Sequence, residues 1–254
     1  LNSSFYTAAV GAAQQQQRMN VQANNIANVN TYGFKAQKPS FSSLMYGNVA
    51  GAEGAELPRG SGAKMSMAGT DFADGALAET GQKQDYAIIG DGFFGLYDPA
   101  SGEVSYTRDG SFTLSEFQRQ KLSADGEQEL DEEGQPEMET VFMLSDGMGR
   151  FVLNDKGAVT EVTDREAKQP VGVFDFVNTD GMLRMGENRY IPVEKNGQVR
   201  FGTGAVRQGA LEASNADLAE QMTKVIEAQR SFSYNLRMVT VTDEIETTVN
   251  NLRS

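Results

Sequence analysis

The chain has 254 residues, with 35 acidic against 22 basic side chains, a formal net charge of −13, and no cysteine, histidine or tryptophan. Without cysteine it has no disulfide, thiolate-held zinc, iron–sulfur cluster or thiol nucleophile, and without histidine it lacks the commonest general base and metal ligand. The acidic balance disfavours nucleic acid and anionic lipid as partners, because phosphate binding needs clustered Lys and Arg.

From Phe5 to about Asn28 there is no proline and glycine occurs only at position 11, with Ser3 or Ser4 placed to cap the start of a helix. No apolar run approaches the ~20 residues of a bilayer span. The polar run Gln14 to Arg18 breaks any secretory core, so no cleaved signal peptide is expected. Phe5, Ala12, Met19 and Ile26 recur every seven residues, with Ala8, Ala9 and Ala23 between them, which is a heptad stripe. Asn24, Asn25, Asn28 and Asn30 then cluster. Two compatible readings apply: helix termination by Asn, and hydrogen bonding that fixes register against a neighbouring subunit.

Residues 1–35 are assigned to this N-terminal helical element and 36–80 to an extended connector, since 47–70 is rich in Gly and Ala with little periodicity. From 81 to 209, Asx-Gly turns separate short runs such as Tyr86 to Ile89, Phe93 to Tyr97, Phe151 to Leu153, Val171 to Val177 and Tyr190 to Val193. That pattern predicts an antiparallel β domain. An acidic loop is placed at 116–140. Its stretch Asp125 to Glu139 holds eight acidic residues and no basic one, and lacks the D-x-[DN]-x-[DN]-G-x5-E order of a calcium loop. Gly90-Asp91-Gly92-Phe93-Phe94-Gly95 matches G-x-G-x-x-G, but turn material and a further strand follow it, so strand–turn–strand is preferred to a dinucleotide site. Tyr106 to Gly110 reads as a structural hairpin with no second catalytic partner in sight.

Residues 210–254 contain neither Gly nor Pro and are assigned to a C-terminal helix, with Ser214 and Asp217 as a capping box. Leu218, Val225, Phe232 and Val239 fall at sevens, flanked by Met222 and Leu236, and Glu220 and Lys224 stand i,i+4. A helix of ~35–40 residues is ~55 Å long and needs a partner. The expected fold class is α+β: long N- and C-terminal helices paired as a coiled coil, with a central antiparallel all-β domain. The candidate subunit-packing residues are Phe5, Ala12, Met19, Asn24, Asn25, Ile26, Asn28, Leu218, Met222, Val225, Phe232, Leu236 and Val239. No catalytic, metal or cofactor residue and no small-molecule substrate is expected. A β-rich binding module and a nucleotide-using enzyme are the competing classes.

Three groups of residues resemble the signatures of bacterial flagellar rod and hook proteins. The first is Tyr6-Thr7-Ala8-Ala9 followed by Ala23-Asn24-Asn25-Ile26-Ala27-Asn28-Val29-Asn30-Thr31-Tyr32-Gly33-Phe34-Lys35. The second is Gly90 to Phe94 with Tyr106 to Phe112. The third is Gln208 to Asn215 with Ile226 to Arg230 and Thr242-Asp243-Glu244. The resemblance implies an axial subunit of the flagellar basal body, exported through the flagellar type III apparatus. It also implies a helical homo-oligomer in contact with other rod and hook proteins, with the terminal helices inside and the β domain outside. Within that family, the length and the segment 47–70 favour a distal rod subunit, with a proximal rod subunit as the alternative.

Overall fold

The computed structural model describes residues 3–45, 47–50, 56–60, 62–120, 138–164 and 167–253. The chain divides into two compact units, one built from Leu1–Val29, Ala36–Asp71 and Ala216–Ser254, the other from Asn30–Lys35 and Phe72–Asn215.

The first unit contains helix α1 (Ser3–Ala27), strands β1 (Gln37–Ser43), β2 (Gly47–Ala50), β3 (Glu56–Arg59) and β4 (Ala63–Thr70), and helix α2 (Leu218–Arg253). α1 ends where Asn28 donates its side-chain amide to the Asn24 carbonyl at 2.9 Å, which satisfies a terminal acceptor. α2 starts at an N-cap, with the Glu220 N–H donating to Asp217 Oδ1 at 3.0 Å. Its threonines do not unwind it, because Thr223, Thr242, Thr247 and Thr248 return their hydroxyls to the carbonyl four residues back. Among the described residues no helix is long and apolar enough to cross a membrane.

Two boundaries differ from the sequence expectation. The connector 36–80 contains paired strands: β1 runs antiparallel to β4 from Gln37↔Thr70 to Ser43↔Ala63, and β2 pairs with β3. Periodicity missed β1 because most of its side chains are exposed, so no apolar face marks it. The C-terminal helix begins at Leu218 rather than 210, because Ala210–Glu212 forms a strand and the cap moves from Ser214 to Asp217.

In the second unit, β5 (Leu77–Glu79) pairs with β18 (Ala210–Glu212), and β6 (Tyr86–Ile89) with β17 (Ala205–Gln208). Its main sheet follows the order β12-β10-β11-β7-β8-β15-β14, with β9 added on β10 and β13 on β7 and β16. The strands are β7 (Phe93–Tyr97), β8 (Val104–Thr107), β9 (Thr113–Gln120), β10 (Met138–Ser145), β11 (Phe151–Val152) and β12 (Glu161–Val162). They continue with β13 (Val173–Asp175), β14 (Leu183–Met185), β15 (Arg189–Ile191) and β16 (Arg200–Phe201). Side chains alternate across β7: Phe94 and Leu96 join a core with Tyr86, Ile88, Phe112 and Leu144, while Phe93 joins Tyr106, Phe174, Phe176 and Tyr190. The sheet is therefore buried on both faces.

The expected acidic loop 116–140 is shorter at both ends, because β9 and β10 pair in continuous register from Thr113↔Ser145 to Gln120↔Met138. Most of the run Asp125 to Glu139 lies outside the described residues. Gly90 and Gly92 form the turn between β6 and β7 with φ of 92° and 133°. A Cβ on Gly92 would lie 2.4 Å from Val173 Cγ1, and one on Gly95 2.7 Å from the Phe174 ring. Gly92 and Gly95 serve close packing, and a strand rather than a helix follows the turn.

Candidate functional site: a polar helix seam and a buried ionic junction

α1 and α2 pack antiparallel. Asn25 meets Gln221, Arg18 meets Glu227 at 3.3 Å, and Gly11 faces Asn235, so α2 numbering falls as α1 numbering rises. The covered positions of α2 include Gln221, Val225, Ala228, Phe232, Asn235, Val239 and Thr242, alternately four and three apart. On α1 they include Ala8, Ala12, Gln15, Met19, Gln22 and Ile26, with the same alternation. The apolar sevens in the sequence thus mark half of the seam: Ala12, Met19 and Ile26 on α1, and Val225, Phe232 and Val239 on α2. Small and polar residues fill the other half, and only their three- or four-residue offset from the apolar row signals them.

Phe5, Leu218, Met222 and Leu236 are exposed; Phe5 and Leu218 continue the two rows at the ends of the seam, whereas Met222 and Leu236 lie off it. Met222 and Leu236 each stand one residue beyond a seam position, which turns them ~100° around the helix. The polar positions carry a cost, because Gln15 Oε1 and Gln22 Oε1 are buried without a hydrogen-bond partner among the described residues. They also permit close approach: a Cβ on Gly11 would sit 3.1 Å from the Asn235 amide.

Asn25 is wholly buried and ties three elements together. Its Oδ1 accepts the Gln37 N–H at 2.9 Å, and its Nδ2 donates to the Gln37 carbonyl at 2.9 Å and to Gln221 Oε1 at 3.1 Å. The side chain thus acts as a one-residue strand partner for the edge of β1 while holding α2. Asn24 is exposed and Asn28 half-buried at the helix end.

Within the β unit, a second constellation went unmarked by periodicity. Lys35, Arg108 and Glu212 are 1%, 2% and 1% exposed. Lys35 Nζ donates to Glu212 Oε1 at 2.6 Å and to the Ala73 carbonyl at 2.8 Å. Arg108 Nη1 donates to Glu212 Oε2 at 3.3 Å and its Nη2 to the Gly90 carbonyl at 2.8 Å. The Gly75 N–H completes the Glu212 shell at 2.7 Å, and the half-exposed Asp74 stands 3.6 Å from Arg108. Burial pulls the Lys35 ammonium below the ordinary lysine range, opposed by the Glu212 charge and hydrogen bond.

The backbone closes the same junction. The Gly33 N–H donates to the Glu212 carbonyl at 2.8 Å, the Asn215 side chain to the Ala73 carbonyl at 2.9 Å, and Arg184 lies 5.0 Å over the Phe34 ring. Gly33 has φ +65°, and its Cβ would fall 2.3 Å from the Asp109 nitrogen, so this position admits only glycine.

The family described as "Flagella basal body rod protein" matches residues 5–35, "Flagellar hook protein FlgE/F/G D1 domain" residues 87–201, and "Flagellar basal body rod FlgEFG protein C-terminal" residues 207–252. The chain is 32% identical over 269 residues to the flagellar basal-body rod protein FlgG of Bacillus subtilis, covering 98% of each chain. It is 31% identical over 268 residues to the FlgG of Borreliella burgdorferi, again covering 98% of each, and 30% identical over 239 residues to the rod protein FlgF of Rhizobium meliloti, covering 91% and 90%. The chain belongs to the flagellar basal-body rod protein family. It is a structural subunit of the flagellar rod, located in the basal body. Each of the three matched segments contributes one member of the ionic junction: Lys35, Arg108 and Glu212.

Proposed function

We propose that this rod subunit assembles with further copies of itself into an open helical axial tube that transmits torque, using the helical unit as its assembling element. The observation that carries this reading is the uncovered apolar surface of α2. Leu218, Met222, Ile226, Met238, Val241, Ile245, Val249 and Leu252 are all exposed, while Gln221, Asn235 and Thr242 are turned into the seam facing α1. A solitary chain has little reason to keep its larger apolar side chains on the outside of a helix and its glutamines inside. The alternating four- and three-residue spacing supports an antiparallel coiled coil, and contacts that do not close on themselves generate a filament rather than a ring. Its partners are other rod and hook subunits, and it reaches them through the flagellar type III apparatus. The length and the Gly/Ala-rich segment 47–70 support a distal position in the rod.

Basal bodies isolated from a strain lacking this chain test the reading. Loss of only the outer rod and hook is expected. Loss extending toward the membrane ring would move the subunit to a proximal position, and a complete rod and hook would overturn the proposal.

A further inference from the structure

The ionic junction gathers its charges from far apart in the chain: Lys35 and Glu212 are 177 residues apart and Arg108 and Glu212 are 104 apart. Lys35 and Arg108 are both buried, and Glu212 is the buried carboxylate that serves both. The other carboxylate near them, Asp74, is half-exposed and 3.6 Å from Arg108. Until Glu212 arrives, closing the β unit would bury two cations side by side without compensation. A buried charge stripped of its partner offsets a large fraction of the stability of a small domain. The surrounding strands reinforce the requirement, because among the described residues β5 and β6 find their antiparallel strand partners in β18 and β17, at 205–212. The Lys35 ammonium, already held below its ordinary range by burial, is supported there chiefly by Glu212.

We propose that the Lys35–Arg108–Glu212 junction is a folding checkpoint: the β unit cannot close on its N-terminal part until the segment carrying Glu212 has joined it. A chain that emerges N-terminus first therefore stays open until residue 212 of 254 is available. The two cations act as negative elements against early collapse, and the single carboxylate releases both. The device does not depend on self-assembly, since every member lies within the β unit.

Refolding and unfolding kinetics of the full-length chain, followed by the near-ultraviolet circular dichroism of the buried Tyr86, Tyr106 and Tyr190, test this. Glu212→Gln keeps the side-chain shape and an acceptor for the Gly75 N–H while removing the charge. It is expected to slow refolding roughly tenfold or more and to leave unfolding within about twofold, because the junction is formed in the transition state. Asp74→Asn is the control and leaves both rates within about twofold. Unchanged refolding with faster unfolding for Glu212→Gln would overturn the checkpoint. Should Glu212→Gln alone fail to fold, adding Lys35→Met removes one uncompensated cation and is expected to restore folding. A double variant no better than the single one would overturn the proposal as well.

Discussion

Lys35 Nζ stands 2.6 Å from Glu212 Oε1 in a site where both side chains are 1% exposed. The pair is not symmetric in what it supports. Glu212 also receives Arg108 and the Gly75 N–H, whereas Lys35 has the Ala73 carbonyl as its other acceptor. Removing the carboxylate strands two buried cations, while removing the ammonium leaves Glu212 with Arg108. Glu212→Ala is therefore expected to destabilise the β unit by about 3–5 kcal/mol and Lys35→Met by about 1–3 kcal/mol. Urea denaturation of the two variants checks the order, and equal losses would show that Arg108 does not share the carboxylate.

Asn25 holds Gln37 on β1 and Gln221 on α2 with one amide. Asn25→Ala leaves a backbone N–H, a backbone carbonyl and a side-chain oxygen without partners in a buried place. The expected loss is about 2–4 kcal/mol in the helical unit. Amide exchange of Gln37 should accelerate in the variant, and an unchanged rate would remove Asn25 from this role.

Tyr190 gives the β unit an alkaline limit. Burial pushes its phenol up to about 12, and its hydroxyl has no hydrogen-bond partner among the described residues. The folded state therefore holds the proton more tightly than the unfolded state, whose tyrosine titrates near 10. The stability from this group is complete below about pH 10 and falls by about 2–3 kcal/mol as pH rises through about 12. Tyr86 and Tyr106, also raised by burial, add to the same fall. Tyr190→Phe should flatten the loss measured by urea unfolding across that range, with little cost at neutral pH because no bond is broken. An equally steep loss in the variant would assign the alkaline limit elsewhere.

Gly33 and Gly81 have nearly the same backbone conformation, φ +65° and +71°, but only Gly33 is crowded. Gly81→Ala meets no atom of the described residues within 4 Å and should cost about 1–2 kcal/mol from its left-handed backbone alone. Gly33→Ala adds a clash with the backbone of Asp109 and should cost at least about 2 kcal/mol more. Thermal denaturation of the pair separates the two effects, and similar melting points would mean that Asp109 yields readily.

The strands that bury a face were legible in the sequence. Tyr86 to Ile89 and Phe93 to Tyr97 match β6 and β7 residue for residue, because an apolar run bounded by Asx-Gly turns has one good solution. β1 was not legible, since Asn25 pairs its edge and its own side chains mostly face solvent. The helices were legible as elements but only half legible as a seam. Gln15, Gln22, Gln221 and Asn235 read as surface residues by type and are covered only because the apolar neighbours in their rows draw the helices together. The junction was hardest to see, because nothing local tells that Lys35 and Glu212 are buried. Its members stood within the quoted motifs, and only the fold shows that they meet.

Assembly driven by the uncovered face of α2 is open to a direct test by a double substitution. Ile226→Glu with Ile245→Glu alters two exposed side chains off the seam, so the helices should keep their stability to within about 1 kcal/mol. Electron microscopy and sedimentation of the purified full-length chain should show filaments for the parent and folded, unassembled subunits for the variant. Filaments of the variant at the parent's concentration would contradict the account.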